Sequence, residues 1–315
     1  MKRTLAAGLM AGLLLLSACA GPAGSGEEDH TFTVAAMTYP VYLFASRVME
    51  GAENAVAEAV VNQPMSCLHD YTMTVTDMKN LQGADILLLN GVGLEDFMSA
   101  AIDASGLQTV DCSVNVPLLH YGEDSGEHEE HDHDDHDHDH GEYDPHIWMD
   151  PDRAAVMVVN IAAALSAADP GNARLYEANA QAYQEELTAL AAELRQQLAG
   201  LGRRELITFH EGFGYFADSM GLTVLKAIEE EAGSEASARE IVEIVDLIRE
   251  HDLPAIFTEQ GGSDATAQAV RRETGTEVRQ LTMLMSADGV PEGADDPYRA
   301  ALEWNVNTIL EALGE

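Results

Sequence analysis

The sequence predicts an α/β fold of two lobes. Each lobe is expected to hold a roughly four-stranded, mostly parallel sheet flanked by helices, and one long rigid helix is expected to join the two. Three observations lead there. Short apolar runs alternate with amphipathic runs through both halves of the chain, the pattern of strand–helix units that pack into covered parallel sheets. One stretch between the halves, 171–202, is rich in Ala, Leu, Glu and Gln and has neither proline nor glycine through its body. And 315 residues with 46% apolar content suffice to bury cores for two domains.

In order, "TFTVAAMT" (31–38) reads as a strand and "YLFASRVME" (42–50) as a helix. "NAVAEAVV" (54–61) is a strand, and "TVTDMKNLQG" (74–83) a helix for which Thr74 or Thr76 would serve as cap. "ADILLLNG" (84–91) is an apolar, buried strand, "LEDFMSAAIDASG" (94–106) a helix, and "LQTVDCSV" (107–114) the fourth strand of the first lobe. A helix follows over 150–170, with Pro151 in its first turn, where a missing N–H costs nothing. In 171–202, Leu175, Ala178, Tyr183, Leu187, Leu190, Leu194 and Leu198 keep near-helical spacing. They predict one helix of roughly 28 residues, about 40 Å long. Alternation then resumes: strands "RELITF", "LTVLKAI", "PAIFTE" and "EVRQLTML", each followed by a helical segment, the last being "DPYRAALEWNVNTILEAL".

The net charge of −39 repels phosphate backbones and excludes a nucleic-acid partner. At the N-terminus, Lys2 and Arg3 precede an apolar run, Leu5 to Leu16, that is too short to span a bilayer and fits a secretory signal. "LSAC" (16–19) resembles the bacterial lipobox, so residues 1–18 are expected to be a signal peptide and Cys19 to carry the lipid. The small-residue and acidic run that follows, 19–31, is a tether. The expected organisation is then a first lobe over 32–168, a linker helix over 171–202 and a second lobe over 203–315. The mature chain is expected to be a monomer on the outer face of a cell membrane. A disulfide between Cys67 and Cys112 is permitted there but not dictated.

The histidines divide into two kinds. His128, His131, His133, His136, His138 and His140 lie in a tract, 123–142, that holds eleven acids and no Lys or Arg. With nothing apolar to bury, it is expected to be a disordered loop suited to weak, multiple metal contacts. Others fall where open parallel sheets bind ligands, beyond the carboxyl ends of strands. His69 is in the loop after the second strand, His210 ends "RELITFH", His146 opens the segment leading to the 150–170 helix, and Glu259 ends "PAIFTE". Three imidazoles and an oxygen donor form a natural shell for Zn²⁺ and an acceptable one for Mn²⁺. Asp144 and Asp150 are near enough in sequence to accept from a ring N–H. His30, His120 and His251 lack this placement and read as surface or loop residues, with His120 able to join the tract.

From about residue 32 to the C-terminus the chain resembles the metal-binding substrate-binding lipoproteins of ABC importers for zinc or manganese. The resemblance rests on "HDYTMTVTDMKNLQGADILLLNGVGLEDFM" (69–98), "DPHIWMDP" (144–151) directly after a His-rich loop, "TFHEGFGYFADSMGL" (208–222) and "IFTEQGGSDATAQAVRRETGTEV" (256–278). It implies the cluster A-I substrate-binding fold, His69, His146 and His210 as ligands, Zn²⁺ as the transported ion in preference to Mn²⁺, and a membrane permease as partner. Two departures stand out. Leu68 replaces the usual proline, and Met285 or Ser286 falls where many members place an acidic fourth ligand, leaving that position to water, Glu259, or a carboxylate such as Asp70 or Glu211. Two other classes fit a three-His site: a zinc hydrolase with Glu259 or Glu211 as base, and an adhesin or metal buffer without a transporter.

Overall fold

Both predicted sheets form, and each is wholly parallel in a computed structural model that describes residues 30–61, 71–120, 141–228, 236–291 and 293–314. In the first, β1 (Phe32–Ala36), β2 (Ala55–Ala59), β3 (Ile86–Leu89) and β4 (Gln108–Asp111) take the order β2-β1-β3-β4. In the second, β5 (Glu205–Thr208), β6 (Thr223–Ala227), β7 (Ala255–Glu259) and β8 (Glu277–Leu281) take the order β6-β5-β7-β8. The central strands are the most buried: Ile86, Leu87 and Leu88 are buried, and so is every residue of β7. That is how strands covered on both faces read. One lobe thus repeats the topology of the other without a visible sequence repeat. The strand order reverses between β1 and β3 and again between β5 and β7, and crevices in such sheets open beyond the strand ends at those points.

Local chemistry sets the helix boundaries. Helix α1 (Tyr39–Val48) begins three residues before the predicted start, because the Thr38 hydroxyl accepts from Val41 N and Pro40 fits the first turn. For α2 (Val75–Gly83) the cap is Thr74, which exchanges hydrogen bonds with Asp77 in a capping box. Thr74→Ala is therefore expected to lower stability by about 1 kcal/mol in urea unfolding. Thr76→Ala, inside the helix, is expected to leave stability unchanged or slightly raised.

The segment predicted as one helix over 94–106 is instead a 3-10 turn, Asp96–Met98, followed by α3 (Ser99–Ser105). The Glu95 carboxylate turns back to the N–H groups of Asn90 and Gly91, so the helix starts only after it. Likewise a 3-10 turn, Glu211–Phe213, precedes α6 (Gly214–Met220). The remaining helices are α4 (Pro151–Ala168), capped by Asp150, α5 (Ala173–Leu198), α7 (Ala238–His251), α8 (Ala265–Thr274) and α9 (Pro297–Leu313).

The long helix α5 has 26 residues, slightly fewer than expected. It buries Tyr176, Tyr183, Leu187, Leu190, Leu194 and Leu198, and it packs on α1, α4, α6 and α9. The join between the lobes is broader than one helix. A single apolar core runs through both of them by way of Ile147, Trp148, Phe213, Phe216 and Met283, and a smaller one lies under α7 and α8. Around its rim, Arg153 binds Asp150 at 2.6 Å and Asp218 at 2.9 Å, and Arg195 binds Asp152 and the Ser219 carbonyl. Thr31–Glu315 forms one compact unit. Among the described residues no helix is long and apolar enough to cross a membrane.

Candidate metal centre

His146 sits in the segment that enters the second half of the first lobe, ahead of a 3-10 turn, Ile147–Met149, and α4. It is 3% exposed. Asp144 accepts from both its backbone N–H, at 2.8 Å, and its ring Nδ1, at 2.7 Å. A carboxylate at Nδ1 places the ring proton there, which leaves Nε2 with its lone pair free to ligate. Asp144 is itself buried and held. Its N–H donates to the Leu119 carbonyl, and its carbonyl accepts from the Tyr215 hydroxyl of α6 at 2.7 Å.

His210 follows β5 in extended backbone, its carbonyl accepting from the Thr208 hydroxyl at 3.0 Å. Two glycines then make room. A Cβ at Gly212 would stand 2.5 Å from the Met283 sulfur and 2.9 Å from His210 Cδ2, and one at Gly214 would stand 2.8 Å from Asp144 Oδ2. The spacing of "HEGFG" (210–214) thus keeps both the imidazole and the carboxylate beneath the other ring unobstructed.

These two histidines, 64 positions apart, meet. Their Nε2 atoms are 3.4 Å apart and their rings stand at 87°. Two imidazole nitrogens on one tetrahedral zinc, each at 2.0–2.1 Å, are separated by roughly 3.3–3.4 Å. The pair therefore has the spacing of two donors that share an ion. Among the described residues no group of three His, Cys, Asp or Glu side chains closes round one point.

The other nominated positions distribute as follows. His69 lies outside the described residues, as do Cys19, Cys67, Asp70 and the tract histidines His128, His131, His133, His136, His138 and His140. Glu259 is buried at the end of β7. It and His210 each lie two positions beyond the paired residues Phe257 and Thr208, so both flank the same switch point, and its side chain lies against Gly262. Met285 and Ser286 are buried in the loop after β8. Cys112 is a buried free thiol whose pKa burial pushes up. Asp150, the second candidate acceptor for a ring N–H, is occupied elsewhere: it caps α4 and binds Arg153 and Ser219. His120 pairs with Tyr143 in an antiparallel bridge, their ring centroids 4.4 Å apart. His251 is in the last turn of α7.

Three residues were not legible as part of this centre. Met283 walls His210 across Gly212, Trp148 packs edge-on to His146 at 5.2 Å, and Asn90 reaches the Pro145 carbonyl. Only "DPHIW" itself hinted at Trp148, by adjacency. Because Asp144 orients His146 and adds negative charge behind it, Asp144→Asn is expected to weaken zinc binding by about 10–100-fold, measured by competition with a chromophoric chelator.

Comparison with known proteins points the same way. A family model described as zinc-uptake complex component A, periplasmic, matches residues 34–312. The chain is 29% identical over 264 residues to the iron-binding protein YfeA of Yersinia pestis, covering 83% of this chain and 80% of that one. It is 27% identical over 308 residues to the high-affinity zinc uptake system protein ZnuA of Bacillus subtilis, covering 95% of this chain and 94% of that one. A crystal structure of ZnuA matches with a TM-score of 0.74 at 25% identity, covering 90% of this chain and 99% of that chain.

Proposed function

The chain belongs to the zinc-uptake complex component A family, and from that premise we propose that it is an extracytoplasmic solute-binding protein that captures Zn²⁺ and delivers it to an ABC permease. The observation that carries this reading is the 3.4 Å approach of His146 Nε2 to His210 Nε2, with Asp144 fixing one ring. His69 is the proposed third ligand, and Glu259 or water the fourth. An imidazole-rich set suits zinc better than manganese, which prefers oxygen, although imidazole also serves iron. The role is capture and delivery, with no chemical step.

The tract around His128–His140 is proposed as a collecting loop that feeds the site. Residues 1–18 are proposed as a signal peptide, Cys19 as the lipidated anchor and the residues up to 31 as a tether, with 32–168 and 203–315 as the lobes. Because one apolar core crosses both lobes, capture is proposed to work through local loop movement rather than hinge closure.

Titration of the purified chain with Zn²⁺, Mn²⁺, Fe²⁺ and Cu⁺ tests the reading. One tight equivalent is expected, with zinc displacing manganese, as the usual order of divalent affinities requires. Deleting 123–142 is expected to keep that equivalent and remove only weaker sites. A full chain with no tight equivalent for any of these ions would refute the reading.

A further inference from the structure

The loop after β3, "NGVGLE" (90–95), has an unusual backbone. Gly91, Val92 and Gly93 have φ of +88°, +57° and +77°. Glycine adopts such values freely, but a β-branched valine does so only where its surroundings impose it. Here the constraint is Glu95. One carboxylate oxygen accepts from Asn90 N at 2.7 Å and the other from Gly91 N at 3.2 Å. Glu95 is 4% exposed, and burial pushes its pKa up to about 7 despite those two N–H groups. A carboxylate kept in so dry a place is costly unless its bonds do something.

What the strained loop presents is Asn90. This side chain is fully buried, and its Nδ2 donates to the Gly91 carbonyl at 3.0 Å and the Pro145 carbonyl at 2.9 Å. Both partners are acceptors, so only the NH₂ side of the amide fits there. The peptide unit between Pro145 and His146 is then held at both ends. Asn90 grips its oxygen, and the Asp144 carboxylate grips its N–H at 2.8 Å. A fixed peptide plane limits where the Cα–Cβ bond of His146 points, and the imidazole must point at His210. Asn90 also stands at the carboxyl end of β3, one of the strands flanking the switch point of the first sheet.

We propose that Asn90, locked in place by Glu95, is a positioning residue for the metal site: it holds the Pro145–His146 peptide so that the His146 imidazole faces His210. This inference rests on the reading of the His146–His210 pair as a metal site, and the experiment separates the two. In the full chain, Asn90→Asp keeps the shape and removes the donor, Asn90→Ala removes the side chain, and Glu95→Gln turns one of two acceptors into an NH₂. Each is measured for zinc affinity by chelator competition, for the visible absorption of its Co²⁺ complex, and for urea stability without metal. Ile248→Ala, in the separate core under α7, serves as a control destabilised away from the site.

Zinc affinity is expected to fall about 10–100-fold in the Asn90 and Glu95 variants, with a changed Co²⁺ spectrum, while Ile248→Ala loses stability but keeps both affinity and spectrum. If Asn90→Asp does not fold, Asn90→Ala and Glu95→Gln decide. Affinity within about twofold of the parent chain together with an unchanged spectrum in the folded variants overturns the positioning role alone. A parent chain that binds no zinc, or a His146→Ala variant that binds as tightly as the parent, overturns the metal reading beneath it.

Discussion

Replacing His210 with alanine is expected to weaken zinc binding by about 100- to 1,000-fold while leaving the fold intact. The reasoning is a division of free energy. A four-donor zinc site is worth about 10–16 kcal/mol, so one donor accounts for roughly a quarter of that, about 2.5–4 kcal/mol. His210 is half-buried in a loop after β5, so its truncation removes little packing, and urea stability without metal should move by about 1 kcal/mol or less. His146→Ala is expected to lose at least as much affinity and more stability. It strips the ring from Asp144, which would keep only a backbone N–H for a buried carboxylate. His251→Ala, in the last turn of α7, is the control and should bind zinc as the parent does. Chelator competition measures all three. An unchanged affinity in His210→Ala would show that the close pair of imidazoles does not hold the ion.

The second large effect is expected at Trp148. Its side chain is fully buried in the core that crosses both lobes. Its Nε1 donates to the Met283 carbonyl at 2.9 Å, and its own carbonyl accepts from the Tyr298 hydroxyl of α9 at 2.7 Å. Trp148→Ala should therefore cost about 3–5 kcal/mol by cavity formation. Trp148→Phe, which keeps most of the volume but orphans the Met283 carbonyl, should cost about 1–3 kcal/mol. Both should also weaken zinc binding, because the ring backs His146 and the Met283 segment walls His210. Trp304 provides the contrast: the residue is 43% exposed and its Nε1 donates to the Gln280 carbonyl at 3.2 Å. Trp304→Phe should change stability by about 0.5 kcal/mol or less. A Trp148→Ala chain as stable as the parent would mean that this ring is not a main support of the core that the lobes share.

Several elements were readable from pattern because their causes are local. The apolar runs of β3 and the start of β7, the 3.6-residue spacing along α5 and the Thr74–Asp77 capping box depend on residues within one or two turns of each other. Boundaries went astray where a distant or backward-reaching group intervened. Glu95 delays α3 by bonding Asn90 and Gly91, and Thr38 with Pro40 advances α1. The nomination of His146 and His210 also had a local basis, since each lies near a segment end where parallel sheets open.

Periodicity, punctuation and charge were enough to establish a two-lobed α/β chain with parallel sheets, a long central helix, and imidazoles at the ends of its segments. The folded structure alone decided that two of those imidazoles stand 3.4 Å apart, that Asp144 rather than Asp150 backs the first, and that the lobes share one core instead of hanging from one helix. It also brought in Asn90, Trp148 and Met283, none of which is a usual zinc ligand. The physical reason is range. Backbone preference and amphipathic spacing act over a few residues and are written along the chain. The direction of the His146 ring is set by Asp144 beside it together with backbone contacts from side chains 55 and 150 positions away, which meet only when the sheets, α5 and α9 have packed.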